Sequence, residues 1–118
     1  MIVAQTGLMS TDDIIADWIA VSNAHDTAGY LSFFTDDVVL DDTSVGDVFE
    51  GHEGLQRYFE AYVVGYSTQT RLVSITPEGD HLHVVVDFTG TFPEGQIGGY
   101  FDITFTGDRI SFMHADLL

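Results

Sequence analysis

Residues 71–118 read RLVSITPEGDHLHVVVDFTGTFPEGQIGGYFDITFTGDRISFMHADLL, and this stretch decides the fold class. Apolar and polar residues alternate along it with the period of two that is typical of half-buried β-strands. The turn sequences PEGD, PEG and TGD divide it into four strands, and each turn is short enough for a β-hairpin. The stretch therefore predicts a four-stranded antiparallel meander, with a bulge or bend at Gly98–Gly99.

The sequence before the meander has mainly helical spacing, with apolar residues three and four positions apart. Capping residues and acidic first turns mark where helices begin. The predicted elements are a helix from a Ser10 or Thr11 cap to Asn23, a second helix over 27–34 capped by Asp26, a turn at Asp36–Asp37, a strand over 38–42, a turn-rich stretch, and a third helix over 52–64. Helices segregated from an antiparallel sheet make an α+β fold.

Size and charge restrict the possible functions. The chain has 118 residues, enough for one domain, which we place at residues 11–118 after a flexible arm at residues 1–10. Three arginines oppose 19 acidic residues, and the formal net charge is −16. Such a surface repels phosphate and anionic lipid, so we expect neither a nucleic-acid nor a membrane partner.

Cysteine does not occur in the sequence, which excludes disulfides, thiol catalysis and cysteine-based zinc sites. The first ten residues, MIVAQTGLMS, have no basic region and no long apolar region, so they do not resemble a signal peptide. A cytoplasmic location is the expectation.

Four short segments carry a family resemblance: WIAVSNAHD (18–26), FFTDDVVLDD (33–42), FEGHEGLQRYF (49–59) and GDRISFMHADL (107–117). In this order they resemble the nuclear transport factor two-like superfamily, in particular its SnoaL-like and ketosteroid-isomerase-like branch. The resemblance implies a cone-shaped roll in which three N-terminal helices pack on a curved, mainly antiparallel sheet around an apolar pocket. Members often form homodimers through the outer sheet face. Their functions range from isomerases, cyclases and epoxide hydrolases to non-catalytic binding modules.

Asp42 is the main catalytic candidate, because strand parity directs it inward. Val38 and Leu40 share one face of the predicted strand, Asp42 continues that face, and Asp41 points the other way. By resemblance, Asp42 falls where ketosteroid isomerases place the general base that moves a proton next to a carbonyl. Alternatively, the sequence DDTS is typical of an Asx turn, in which Asp42 only ends the strand.

An isomerase of this kind also needs donors that stabilise an oxyanion. By resemblance, the tyrosine position of the first helix is Trp18 and the acid position is near Phe101, which offers no donor. Strict ketosteroid isomerase activity is therefore not expected. Tyr58 and Tyr62 lie one turn apart on the third helix and are candidate donors, or they simply pack in the core.

The remaining pocket residues follow from strand and helix faces. In the last strand, resemblance favours Met113 and Ala115 inward over the alternative set that contains Ile110 and His114. We predict the following ligand-binding residues: Trp18, Phe59, Val86, Phe88, Phe101, Ile103 and Met113.

Three further groups of polar residues have alternative interpretations. His114 would form an acid/base pair with Asp42 if it faced inward, although the outward orientation, on a dimer face or in solvent, is favoured. His81 and His83, with Asp80, could bind a metal, but an exposed hairpin end is the favoured explanation, and we assign no metal. Epoxide hydrolases of this fold use an Asp–Arg–Asp arrangement, to which Arg57 or Arg71 would have to contribute.

These observations leave two main hypotheses. The first is an enzyme that binds a small apolar carbonyl compound and performs acid/base chemistry of the isomerase, cyclase or lyase type without a cofactor. The second is a non-catalytic ligand-binding or dimerisation module with the same pocket.

Overall fold

The computed structural model describes residues 10–118, and within them the chain forms three helices and six strands. Most of the predicted arm, residues 1–9, lies outside the described residues. The elements are α1 (Thr11–Asn23), α2 (Thr27–Leu31), β1 (Phe34–Asp42), β2 (Asp47–Glu50), α3 (Gly51–Tyr58) with a wider π-helical continuation (Phe59–Val64), β3 (Gln69–Glu78), β4 (His81–Thr89), β5 (Gln96–Thr106) and β6 (Arg109–Leu117).

The strands form one curved, mixed sheet in the order β2-β1-β6-β5-β4-β3. Among the described strands only β1 and β6 pair in parallel, and the other four neighbouring pairs are antiparallel. Helix α1 packs against β3, and α3 packs against β1 and β2. The predicted α+β architecture of three helices on a mainly antiparallel sheet is confirmed. None of the helices between residues 10 and 118 is long and apolar enough to cross a bilayer.

Both predicted helix caps form. Ser10 accepts a hydrogen bond from the amide of Asp13 at 3.1 Å, and Asp26 accepts one from the amide of Gly29 at 3.0 Å. These bonds satisfy amides that would otherwise have no partner in the first helical turn. Helix α1 then buries one face against the sheet, formed by Ile14, Ile15, Trp18, Ile19 and Ser22.

The segment between α2 and α3 differs from the prediction. Helix α2 ends at Leu31, and β1 begins at Phe34, so the predicted turn at Asp36–Asp37 is wrong. These two aspartates are exposed within β1, at an irregularity of its pairing with β6. Because β1 pairs with β6 both before and after this irregularity, the backbone stays extended at the two aspartates. Strand β2, which lies in the stretch predicted to be turns, pairs with the second half of β1.

The face of β6 is set by a register shift. Met113 and Ala115 point inward, as favoured, yet Ile110 is also fully buried. The β5–β6 pairing shifts between Thr104 and Phe105, so Ile110 and Met113, three positions apart, lie on the same face. Pairing is continuous across Gly98–Gly99, so the bulge considered there does not form.

Candidate functional site

A cavity of about 300 Å³ lies between the π-helical end of α3 and the sheet. On the sheet side it is lined by the C-terminal ends of β4 and β6 and by the N-terminal half of β5. Its lining is largely aromatic, with seven residues from α3 and the turn after it, from β4 and β5, and from the β4–β5 loop: Tyr58, Tyr62, Tyr66, Phe88, Phe92, Tyr100 and Phe101. Three acidic residues also line it, Asp42, Glu94 and Asp116. The volume is at the lower end of the range of small-molecule sites.

Asp42 is the most buried of these carboxylates. It is the last residue of β1, continues the inward face of Val38 and Leu40, and is only 4% exposed. Its Oδ1 accepts hydrogen bonds from the amide of Ser44 at 2.9 Å and from the Ser44 hydroxyl at 2.5 Å. The two interpretations of DDTS therefore hold together, because Asp42 closes an Asx turn and also faces the cavity.

Tyr58 lies next to this carboxylate. Burial raises the pKa of Tyr58 well above its ordinary value, and the negative charge of Asp42 and a side-chain interaction with it add to the effect. The hydroxyl therefore stays protonated at neutral pH and can donate a hydrogen bond into the cavity. Tyr62 is less buried, and its ring centre lies 5.5 Å from that of Tyr58.

A second cavity of about 20 Å³ adjoins the first, and the two share the lining residues Tyr58, Val63, Phe88 and Phe101. Trp18 forms part of its lining, and within residues 10–118 the buried Trp18 Nε1 has no hydrogen-bond partner. Tyr30 lines the same space, and burial raises its pKa. A volume of this size is enough for about one water molecule. The wall of this small cavity therefore includes the Trp18 indole and the Tyr30 side chain.

The sequence and the fold both match known proteins. A family model described as a SnoaL-like domain matches residues 15–118. This chain belongs to the SnoaL-like family. No functionally curated protein matches it in sequence.

Solved structures share the SnoaL-like fold at low identity. A Sinorhizobium meliloti protein that carries the name of a polyketide cyclase matches with a TM-score of 0.80 and 21% identity, over 91% of this chain and 99% of its own. The epoxide hydrolase/cyclase-like enzyme SalBIII, with a role in pyran ring formation in salinomycin, matches with 0.78 and 20%, over 92% and 90%. A Mycobacterium tuberculosis protein in complex with estradiol-17β-hemisuccinate matches with 0.77 and 17%, over 89% and 91%. Such identities show the fold alone.

The predicted ligand-binding residues of this SnoaL-like domain separate into two groups. Phe88 and Phe101 line both cavities, and Trp18 lines the smaller one. The other four are fully buried within the core and do not reach either cavity: Phe59, Val86, Ile103 and Met113. The periodicity of strands and helices correctly predicted that these four side chains face the interior. Periodicity does not indicate how far along a strand or helix the cavity extends.

His114 lies on the outer face of the sheet, away from Asp42. Its Nδ1 is 3.7 Å from a carboxylate oxygen of Asp41, and its ring centre is 5.9 Å from that of Tyr100. The structure therefore does not bring His114 together with the cavity group Asp42, Tyr58 and Tyr62. Asp116, at the end of the same strand, reaches the cavity rim.

Neither candidate arginine of the SnoaL-like domain lines the cavity. Arg57 lies 4.0 Å from Asp47 and over the ring of Phe49, outside the site. Arg71 forms an ion pair with Asp87. Among residues 10–118 the cavity lining contains no arginine, so the Asp–Arg–Asp arrangement does not form.

Several lining residues were missed by the sequence analysis. Phe92 and Glu94 come from the β4–β5 loop, and Tyr66 follows the end of the third helix. Loop residues have no periodicity, so parity could not place them. The available signal was one aromatic and one acidic residue, Phe92 and Glu94, on either side of Pro93 in the turn.

Proposed function

We propose that this SnoaL-like domain binds a small, neutral and largely apolar carbonyl compound and transfers a proton on it without a cofactor. Asp42 acts as the general base. The observation that carries the proposal is the position of Asp42, a carboxylate with 4% exposure at the wall of an aromatic cavity. Buried carboxylates without a compensating role are rare, and in a cavity they are candidates for acid/base chemistry.

The neighbours of Asp42 support a defined proton transfer. Ser44 holds Oδ1 through two hydrogen bonds, which fixes the orientation of the carboxylate. The carboxylate removes a proton from the carbon next to the substrate carbonyl, and the C–H electron pair moves to form an enolate. The protonated Tyr58 hydroxyl donates a hydrogen bond to the enolate oxygen. Asp42 then returns the proton to another carbon. In the ring-closing alternative, the enolate carbon attacks a second carbonyl of the same molecule, the electron pair of that carbonyl moves to its oxygen, and the resulting alkoxide takes the proton from Asp42.

The charge of the lining disfavours an anionic substrate. The charged residues at the cavity, among those that the structure describes, are Asp42, Glu94 and Asp116. Their negative charges would repel an anionic compound. The relatives named for a polyketide cyclase and for pyran ring formation support a ring-forming reaction on the proposed carbonyl compound.

The direct test is hydrogen–deuterium exchange at the carbon next to the carbonyl, followed by NMR in D₂O with a panel of neutral ketones and 1,3-diketones. We expect the purified protein to accelerate exchange, Asp42→Asn to reduce the acceleration by about 10²–10⁴-fold, and Asp41→Asn to change it by less than about threefold because Asp41 faces outward. Exchange that survives in Asp42→Asn would refute the proposed base.

A non-catalytic binding module is the second candidate. One observation favours it: Oδ1 of Asp42 closes the turn with Ser44, which gives the carboxylate a structural role. On this hypothesis a panel compound binds, the Asp42→Asn variant loses folding stability, and the wild-type protein produces no exchange. Calorimetric binding measured beside the exchange assay separates the two hypotheses.

We also propose that the outer sheet face mediates a homodimer, as the family resemblance implies. Phe112 is 39% exposed on this face, directly beside Val39 of the neighbouring strand. Light scattering during gel filtration should give twice the chain mass for the wild-type protein and the monomer mass for Phe112→Glu. A monomeric wild-type protein at high micromolar concentration would contradict the proposal.

A further inference from the structure

The outer face of the sheet brings two histidines and two carboxylates together at the end opposite the cavity. Glu78 lies across from His81 in the β3–β4 pairing, and His83 lies across from Asp102 in the β4–β5 pairing. His81 and His83 are two residues apart on one strand, so both pairs face the same side. The four residues thus form one cluster, carried by three hydrogen-bonded strands.

The donor atoms of this cluster lie close to one another. His83 Nδ1 and Asp102 Oδ1, 2.7 Å apart, share a hydrogen bond, which coordination of an ion would replace. His81 Nε2 is 3.8 Å from the same oxygen and 3.6 Å from Glu78 Oε1. The ligand atoms of Glu78, His83 and Asp102 all lie within 4.8 Å of one another. Ligands of a tetrahedral zinc ion are about 3.3 Å apart, given bonds of about 2.0–2.1 Å.

We propose that Glu78, His83 and Asp102 bind a divalent transition metal ion of the zinc class, with His81 Nε2 as the fourth ligand. Two imidazoles with two carboxylates suit zinc, whereas magnesium and calcium select oxygen ligands. The four side chains are between about a quarter and a half exposed, so the ion can enter without opening of the fold. A bound ion would join β3, β4 and β5 and would offset part of the net negative charge.

The orientation of His81 supports this ligand set and corrects the one considered from sequence. Its Nδ1 lies 3.5 Å from Asp80, so Nε2 is the nitrogen that faces Glu78 and Asp102. Asp80 is 97% exposed and contacts the outward nitrogen only. Asp80 is therefore not a ligand, and Asp102, which lies 19 residues after His83 in the sequence, takes its place.

Isothermal titration with zinc chloride at pH 7.5, in 0.15 M NaCl and a non-coordinating buffer, tests the proposal with a matched pair. Asp102→Asn and Asp80→Asn each remove one negative charge from the same end of the sheet. We expect one zinc ion per chain, at least tenfold weaker binding in Asp102→Asn and His83→Gln, and less than threefold weaker binding in Asp80→Asn. The second ligand variant, His83→Gln, keeps the test valid if Asp102→Asn fails to fold.

A further measurement separates coordination from general attraction to an acidic surface. Zinc should raise the Tm of the wild-type protein and of Asp42→Asn, but not that of His83→Gln. Equal weakening by Asp80→Asn and Asp102→Asn, the same response to magnesium as to zinc, or no saturable binding would each overturn the proposal. None of these results depends on whether Asp42 acts as a general base.

Discussion

Asp41 and Asp42 are consecutive residues on β1, yet they belong to different parts of the molecule. The Asp42 side chain is buried at an aromatic cavity and held by Ser44, whereas Asp41 lies on the outer face beside His114. The same contrast runs along β6, where Met113 is fully buried and Phe112 is 39% exposed. In this sheet the face on which a side chain lies, rather than its residue type, therefore decides whether it is buried at the cavity or exposed.

We expect the largest difference in stability between alanine variants of Met113 and Phe112, which are neighbouring residues on opposite faces of β6. Met113→Ala leaves a hole in the packed inner layer and should lower the free energy of unfolding by about 2–5 kcal/mol. Phe112→Ala removes a larger side chain from the outer face and should cost less than about 1 kcal/mol. Urea denaturation of both variants measures the difference in the free energy of unfolding. Similar losses in the two variants would contradict the expected difference between the two faces of the sheet.

The buried tyrosines of the inner layer should make the fold sensitive to alkali. Burial raises the pKa of Tyr58 and Tyr30, so both remain protonated in the folded chain at pH values where the unfolded chain has ionised them. Above about pH 10 the unfolded state therefore binds fewer protons, and the free energy of unfolding falls by about 1.4 kcal/mol per pH unit for each tyrosine.

Chemical denaturation between pH 8 and pH 11.5 measures this dependence. Tyr58→Phe should remove about half of the decline, since it deletes one of the two groups. A decline of unchanged slope in Tyr58→Phe would show that the loss of stability has another origin.

Two adjacent glycines on β5 give a finer comparison of the faces. A Cβ atom at Gly99 would lie 2.7 Å from the Phe88 ring and 3.1 Å from the carbonyl oxygen of Asp116, so Gly99→Ala should cost about 1–3 kcal/mol. At Gly98 the nearest atom is 3.0 Å away, at the tip of the flexible Leu118 side chain, and Gly98→Ala should cost less. Thermal unfolding of both variants measures which one loses more stability. A greater loss of stability in Gly98→Ala than in Gly99→Ala would contradict the prediction.

The smallest effect should come from salt, which acts on exposed charge and leaves the buried layer unchanged. With a net charge of −16, the folded chain repels itself, and screening relieves this repulsion. We expect the Tm to rise by about 2–5 °C between 0.05 and 0.5 M NaCl, which corresponds to about 1 kcal/mol. A Tm indifferent to salt would contradict the expectation.

Local periodicity predicted much of the fold because it is a direct consequence of strand geometry. The four strands of the meander, the two helix caps and the inward position of Asp42 all follow from spacing and from the preferences of single residues. The pattern is wrong at Asp36–Asp37, where two aspartates suggest a turn but pairing with the distant β6 keeps the backbone extended. It also missed β2, a four-residue edge strand.

Contacts between distant strands could be predicted only in part. Glu78 faces His81 across the two-residue turn Gly79–Asp80, and hairpin geometry alone could have placed this pair. The meeting of His83 with Asp102 depends on the register across a longer loop, which no local pattern gives. Likewise, the shift that buries both Ile110 and Met113 arises from packing.

The position of β6 has a consequence for how the chain folds as it is made. Strand β6 comes last in chain order among the described strands, yet it lies between β1 and β5, at the centre of the sheet. Until β6 emerges from the ribosome, the β1–β2 ladder and the β3–β5 meander are separate pieces, each with an unpaired edge open to other chains. This domain is therefore most vulnerable to aggregation just before β6 emerges, and chaperones should protect it most at that stage.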